Sequence, residues 1–131
     1  MKYITGIQSY SGQKKTAVTL GKFDGLHRGH QKLIEKIRSY ASDECESVVC
    51  AFDMHRDSLM TNRERREHLE NRVDWLIDQP FTKDLREMEA ETFIDDVLCK
   101  TLHAAHIVVG TDFTFGYAKR GDAQMLLDYA E

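Results

Sequence analysis

The chain has 131 residues, 41% hydrophobic and 31% charged, with a formal charge of −4; this suits one compact soluble domain and leaves little room for two. The acidic balance argues against a general nucleic-acid binder, which presents a basic field, yet permits a small phosphate-bearing ligand held by local amides and a few cations. No run reaches the roughly 18 apolar residues of a membrane span, and "MKYITGIQSYSGQKK" lacks the apolar core of a secretory signal, so a cytoplasmic protein is expected.

In chain order, strand and helix signals alternate. Residues 16–20 are rich in strand formers and end at Gly21. Residues 29–41, "GHQKLIEKIRSYA", set Leu33, Ile34, Ile37 and Tyr40 at helical spacing among charged residues. Residues 47–52, "SVVCAF", read as a buried strand. Residues 61–72, "TNRERREHLENR", read as a solvated helix capped by Thr61 or Asn62, its acids nearly balancing its bases. A third strand is expected over residues 73–77, "VDWLI", with Trp75 in the core. A helix follows over residues 89–102, where Phe93, Ile94, Val97, Leu98 and Leu102 recur at helical spacing, and "HIVV", residues 106–109, forms a fourth strand ending at Gly110. Cys45, Cys50 and Cys99 are odd in number, widely spaced and without a Cys-x-x-Cys pair, so they are expected to stay reduced, without zinc. His103 and His106 in "HAAH" straddle a helix end and a strand start, a poor arrangement for a shared metal.

Strands separated by helices imply a largely parallel sheet, in which ligands bind beyond the carboxyl ends of the strands. Two glycine-ended strands lead into "GKFDGLHRGH" and "GTDFTFGYAKRG", expected to be two walls of one cleft. In the first, Gly21 frees the backbone, Phe23 can anchor the loop, and Asp24 before Gly25 signals a turn or a helix cap. His27 and His30 stand three apart at a helix start, with Gly29 between them keeping the surface bare. A helix N-terminus favours anions, and two imidazoles there can donate to phosphate oxygens. The same pair would also fit two exposed helix residues; as metal ligands they lack an Asp, Glu or Cys at a third helical position.

The stretch "GKFDGLHRGH" resembles the His-x-Gly-His signature of the nucleotidyltransferase superfamily. Its Phe-Asp-Gly-x-His form is most similar to the adenylyltransferase module of bacterial FAD synthetases, the bifunctional riboflavin kinase/FMN adenylyltransferases. Later blocks fit in order. "FDMHR" matches the family's Phe-x-Pro-His-Pro turn at Phe52 and His55, with Met54 and Arg56 in place of the prolines; "PFTKDL", "ETFIDDVL" and "VVGTDFTFGYAKRG" follow.

The resemblance implies a Rossmann-like α/β fold, an open and mostly parallel sheet with helices on both faces, as one domain over residues 1–131. It implies transfer of AMP from ATP to FMN, with Mg²⁺ accompanying ATP as cofactor and ATP and FMN as small-molecule partners. His27 and His30 would be catalytic; Gly21, Lys22, Phe23, Asp24, Gly29 and Asp112 would bind the nucleotide; Phe52, His55, Phe113 and Phe115 would border the flavin. No protein metal ligand is expected. The family's Ser-Ser/Thr-Thr-x-Ile-Arg segment and riboflavin kinase domain do not occur in these 131 residues, so a C-terminally incomplete domain is expected, whose exposed sheet edge favours self-association. A nucleotide- or flavin-binding module without turnover, and transfer to another phosphate acceptor, are the alternative functions.

Overall fold

The computed structural model describes residues 1–21, 28–53, 66–67, 69–70, 72–80, 82–110, 114–115, 121–122 and 124–126. Five strands form one sheet: β1 (Lys2–Thr5), β2 (Lys15–Gly21), β3 (Cys45–Asp53), β4 (Trp75–Pro80) and β5 (Ala104–Val108). All neighbouring pairs are parallel, in the order β1-β4-β3-β2-β5. The helices are α1 (Arg28–Ser39), α2 (Lys83–Glu87) and α3 (Ala90–Thr92), the last running directly into a π-helix over Phe93–Thr101. Two short strands, β6 (Thr114–Phe115) and β7 (Gly121–Asp122), pair antiparallel.

Alternation along the strands sends side chains to two cores, one on each face. Ala17, Val49, Ala51 and Leu76 pack beneath Ile34 and Ile37 of α1. Val18, Leu20, Val48, Cys50, Trp75 and Ile77 pack on the opposite face against Phe93, Ile94, Val97, Leu98 and Leu102. Helices therefore cover both faces, as the resemblance implied. The apolar spacing over residues 89–102 is met by a wider turn than expected. Leu102 N bonds Val97 O five residues back, so pairs such as Val97 and Leu102 come onto one face.

β2 and β3 extend one or two residues beyond the sequence reading at each end, and the boundaries of β4 and β5 shift for local reasons. β4 starts at Trp75 rather than residue 73 because Asp74 is occupied at the turn. Its N–H donates to Ser47 Oγ at 2.9 Å, and its carboxylate accepts from Ser47 N at 2.9 Å. The strand then runs on through two buried polar residues, Asp78 and Gln79. The Tyr3 hydroxyl donates to the Asp78 carboxylate, and Gln79 Oε1 accepts from Ile7 N at 2.7 Å. β5 starts at Ala104, where His103 at φ 53° closes the π-helix and its carbonyl accepts from Thr16 N at 3.0 Å. His106, by contrast, stacks on Tyr40 with ring centroids 3.9 Å apart, so the two histidines of "HAAH" have separate roles. β1, which sequence patterning leaves unassigned, is the outer partner of β4.

The charged run of residues 61–72 is only partly solvated. Residues 66, 67 and 69 are helical; Arg66 and Glu67 are exposed, but Leu69 is fully buried against the α1 side. The two proposed caps, Thr61 and Asn62, lie outside the described residues. Trp75 is a core residue as expected, braced by Tyr10 at 4.6 Å, by Lys2 Nζ at 4.9 Å, and by Glu46, which accepts from its indole nitrogen at 3.2 Å. The three cysteines are free; Cys45 and Cys50 are buried and Cys99 is exposed.

Burial pushes the Cys50 thiol up to about 12, with the charge of Asp78 adding to the effect. Burial likewise raises Tyr10 to about 12, helped by Glu46. Both groups ionise earlier in the unfolded chain, from their ordinary 9.0 and 10.0, so the native state holds more protons in that interval. Stability is therefore fully present below about pH 9 and falls as pH rises toward about 12. Urea denaturation between pH 8 and 11 should show this decline, and Cys50→Ala should flatten its lower part; an unchanged slope would contradict the burial argument. Tyr3→Phe removes a donor from the buried Asp78 and should lower unfolding free energy by about 1–3 kcal/mol, again measured by denaturation.

Candidate functional site

Parallel strands bring Gly21, Asp53, Pro80 and Val108 to one edge of the sheet. β2 leaves toward β3 through α1 on one face. β5 is reached from β4 through the π-helix on the other. The connections thus diverge between β2 and β5, and such a switch point opens a crevice above the strand ends. The strands that lead into the two glycine-ended segments picked out in the sequence lie side by side there, since Thr19 of β2 pairs with Val108 of β5.

The first wall is the start of α1. Gly29 and His30 lie in its first turn, and that turn contains no acidic residue. The first N–H groups of any helix lack intrahelical partners and carry the positive end of its dipole. Leu33, Ile34 and Ile37 explain why the helix lies as it does: their apolar stripe is drawn onto the sheet, which fixes the N-terminal turn over the carboxyl edge. Lys22, Phe23, Asp24 and His27 lie outside the described residues.

The second wall follows β5. Residues 109 and 110 continue the chain, and the β6–β7 ribbon then pairs Thr114 with Asp122 and Phe115 with Gly121. Met125 and Leu126, in the helical turn just beyond, are packed against the π-helix core. Phe115 belongs to the ribbon; Asp112 and Phe113 lie outside the described residues.

Phe52 is the penultimate residue of β3, one strand away from Gly21, which pairs with its neighbour Ala51. Its half-buried ring lies on the π-helix side, with its centroid 6.4 Å from that of Phe93 at a 48° tilt. Packing fixes this ring at the strand edge whatever it borders. His55 lies outside the described residues.

Sequence reasoning passed over the end of β4. Gln79 accepts from Ile7 N with its carbonyl and donates from Nε2 to Pro80 O at 2.8 Å, tying β1 and β4 together at the same edge. Thr82 Oγ1 then accepts from Leu85 N at 3.2 Å and caps α2. The signal was present as two polar residues and a proline after "WLI", but it read as the end of a strand. Among the described residues, no group of three or more His, Cys, Asp or Glu side chains forms a metal cluster. None of their helices is long and apolar enough to cross a membrane.

The FAD synthetase family model matches residues 9–131. The bifunctional riboflavin kinase/FMN adenylyltransferase of Escherichia coli (strain K12) is 31% identical over 140 residues, covering 96% of this chain and 45% of that protein. Its counterpart from Buchnera aphidicola subsp. Acyrthosiphon pisum is 30% identical over 96% of this chain and 44% of its own length. An FAD synthetase from Listeria monocytogenes is 31% identical over 88% of this chain and 51% of its length. The chain spans about half the length of these curated relatives. Among solved structures, a macrolide-efflux protein from Streptococcus pneumoniae is similar with a TM-score of 0.83 and 26% identity, over 98% of this chain and 47% of that one. Sequence and fold agree over nearly the full length, and the chain belongs to the FAD synthetase family.

Proposed function

We propose that this chain acts as an FMN adenylyltransferase, making FAD and pyrophosphate from FMN and ATP. The observation that carries the reading is the α1 N-terminus, with Gly29 and His30 in a first turn free of acidic residues, standing over the switch-point crevice of a chain in this family. A phosphate oxygen of FMN attacks the α-phosphorus of ATP. The new P–O bond forms as the bond to the β-phosphate oxygen breaks, and that oxygen departs with pyrophosphate. The protein's share is positioning and charge stabilisation rather than covalent chemistry.

In this reading the backbone of Gly21, Lys22, Phe23 and Asp24 lines the phosphate path, with Gly29 permitting close approach. His27 and His30 donate to the triphosphate as negative charge shifts toward the leaving group. Asp112 stands between nucleotide and flavin, and Phe52, His55, Phe113 and Phe115 border the isoalloxazine. Mg²⁺ accompanying ATP would supply charge neutralisation at the phosphates, with no side chain of this chain assigned to hold it. The work is cytoplasmic, where ATP and FMN are both available. Self-association would pair two copies through the edge strand β5. Met54 and Arg56, in place of the family's prolines, favour the second reading of a flavin- and nucleotide-binding module without turnover.

Incubation with ATP, Mg²⁺ and FMN should yield a chromatographic FAD peak and pyrophosphate. Binding of both substrates without FAD would instead select the module. His30→Ala should lower turnover by roughly 100-fold or more while leaving the thermal midpoint unchanged. Undiminished FAD formation by this variant would remove His30 from the mechanism.

A further inference from the structure

Three hydroxyl side chains are buried within the described strands of the sheet, and two of them are paired. Thr16 Oγ1 donates to Leu102 O at 2.7 Å, and Ser47 Oγ accepts from Asp74 N at 2.9 Å. The third, Thr19, is 0% exposed, and its Oγ1 has no partner among the described residues. The Tyr10 hydroxyl also has no partner among the described residues, but it belongs to the opposite core, beside Trp75 at the start of β4. Thr19 alone stands near the carboxyl edge.

Its neighbours settle which way it faces. Thr19 pairs in register with Val49 of β3 and Val108 of β5, and both pack on the α1 side, as does Ala17 two residues earlier. Thr19 therefore lies on the face covered by α1, two residues before Gly21. α1 runs back over that face with Ile34 and Ile37 fully buried. Position 30 stands one turn before Ile34 in the same helix. The unpaired hydroxyl thus lies on the face of the sheet that α1 covers, near the carboxyl edge.

A buried hydroxyl without a partner costs stability that a valine of nearly the same shape would not. It becomes useful if its partner is supplied by the loaded state. An imidazole that donates to a phosphate oxygen through one ring nitrogen needs its other nitrogen held, and a hydroxyl can accept or donate there, directly or through one water. We propose that Thr19 is a positioning residue for a nucleoside triphosphate, acting through the first turn of α1 and gaining its hydrogen bond when that ligand is bound. The identity of the ligand rests on the adenylyl-transfer reading; the placement of the hydroxyl does not.

The test is calorimetric titration with ATP and Mg²⁺ on the whole chain and on Thr19→Val and Thr19→Ser, with thermal unfolding of each. The valine variant should melt at the same temperature or higher, yet bind ATP about 10-fold more weakly, with an altered pH dependence of affinity. Serine should restore binding. Wild-type affinity in Thr19→Val would overturn the proposal. So would equal losses of affinity in both variants together with a lowered melting temperature, which would mark a packing role. A wild-type chain that binds ATP but forms no FAD would overturn only the adenylyl-transfer reading, because Thr19 is still tested through affinity. A wild-type chain that binds no ATP would overturn both.

Discussion

The arrangement depends on β2 being buried on both faces while its two neighbours are reached by opposite routes. Val18 and Leu20 serve the π-helix core and Ala17 serves the α1 core, so the strand cannot slip by one residue without sending each set to the wrong layer. With β2 fixed, the divergence of the flanking connections follows, and with it the crevice between β2 and β5. The glycine at the strand's end and the helix start beyond it are placed by that burial. A helix start placed in this way presents backbone dipoles that are already oriented, which is the arrangement the proposed triphosphate site calls for.

The polar residues inside the sheet show the same economy of placement. Ser47, Asp78 and Gln79 each lie where two segments must be joined, and their hydrogen bonds, Ser47's to the exposed Asp74 in the turn before β4, fix where β4 begins and how β1 is seated. None of these groups gains by burial alone, since an unpaired polar atom in the core is destabilising. Their partners are what make the positions tolerable, and they bind the outer strand to the sheet more specifically than apolar contact would.

Much of this was legible in the sequence, and the reasons are specific. "SVVCAF" and "GHQKLIEKIRSYA" carry periodicities that only one element type satisfies, so β3 and α1 were found to within a few residues. The two glycine-ended strands pointed to the crevice because parallel topology puts all strand carboxyl ends at one edge. β1 was missed because its four residues, "KYIT", have exposed ends and half-buried centres, which is too short a pattern to stand out. The end of β4 was missed because Asp78 and Gln79 are polar in sequence and become core residues only through Tyr3 and Ile7, more than 70 positions away. The π-turn was invisible for a different reason: apolar residues four and five apart satisfy either helix type until the backbone bonds are known. Of the site residues, the likeness of motifs supplied the roles, and the fold supplied only the stage on which Gly21, Gly29, His30, Phe52 and Phe115 are set.

The seating of β1 also bears on how the chain folds. β1 is near the N-terminus, yet its strand partner β4 is not complete until Pro80. β1 must therefore wait for most of the sheet to exist, and closing that long loop makes it a late and slow contact. As one of the two edge strands, with β5, it has a neighbour on one side only, so its amides should exchange faster than those of the three central strands. A fusion partner attached before Lys2 would act on this last step of assembly, at the pole of the molecule opposite the crevice.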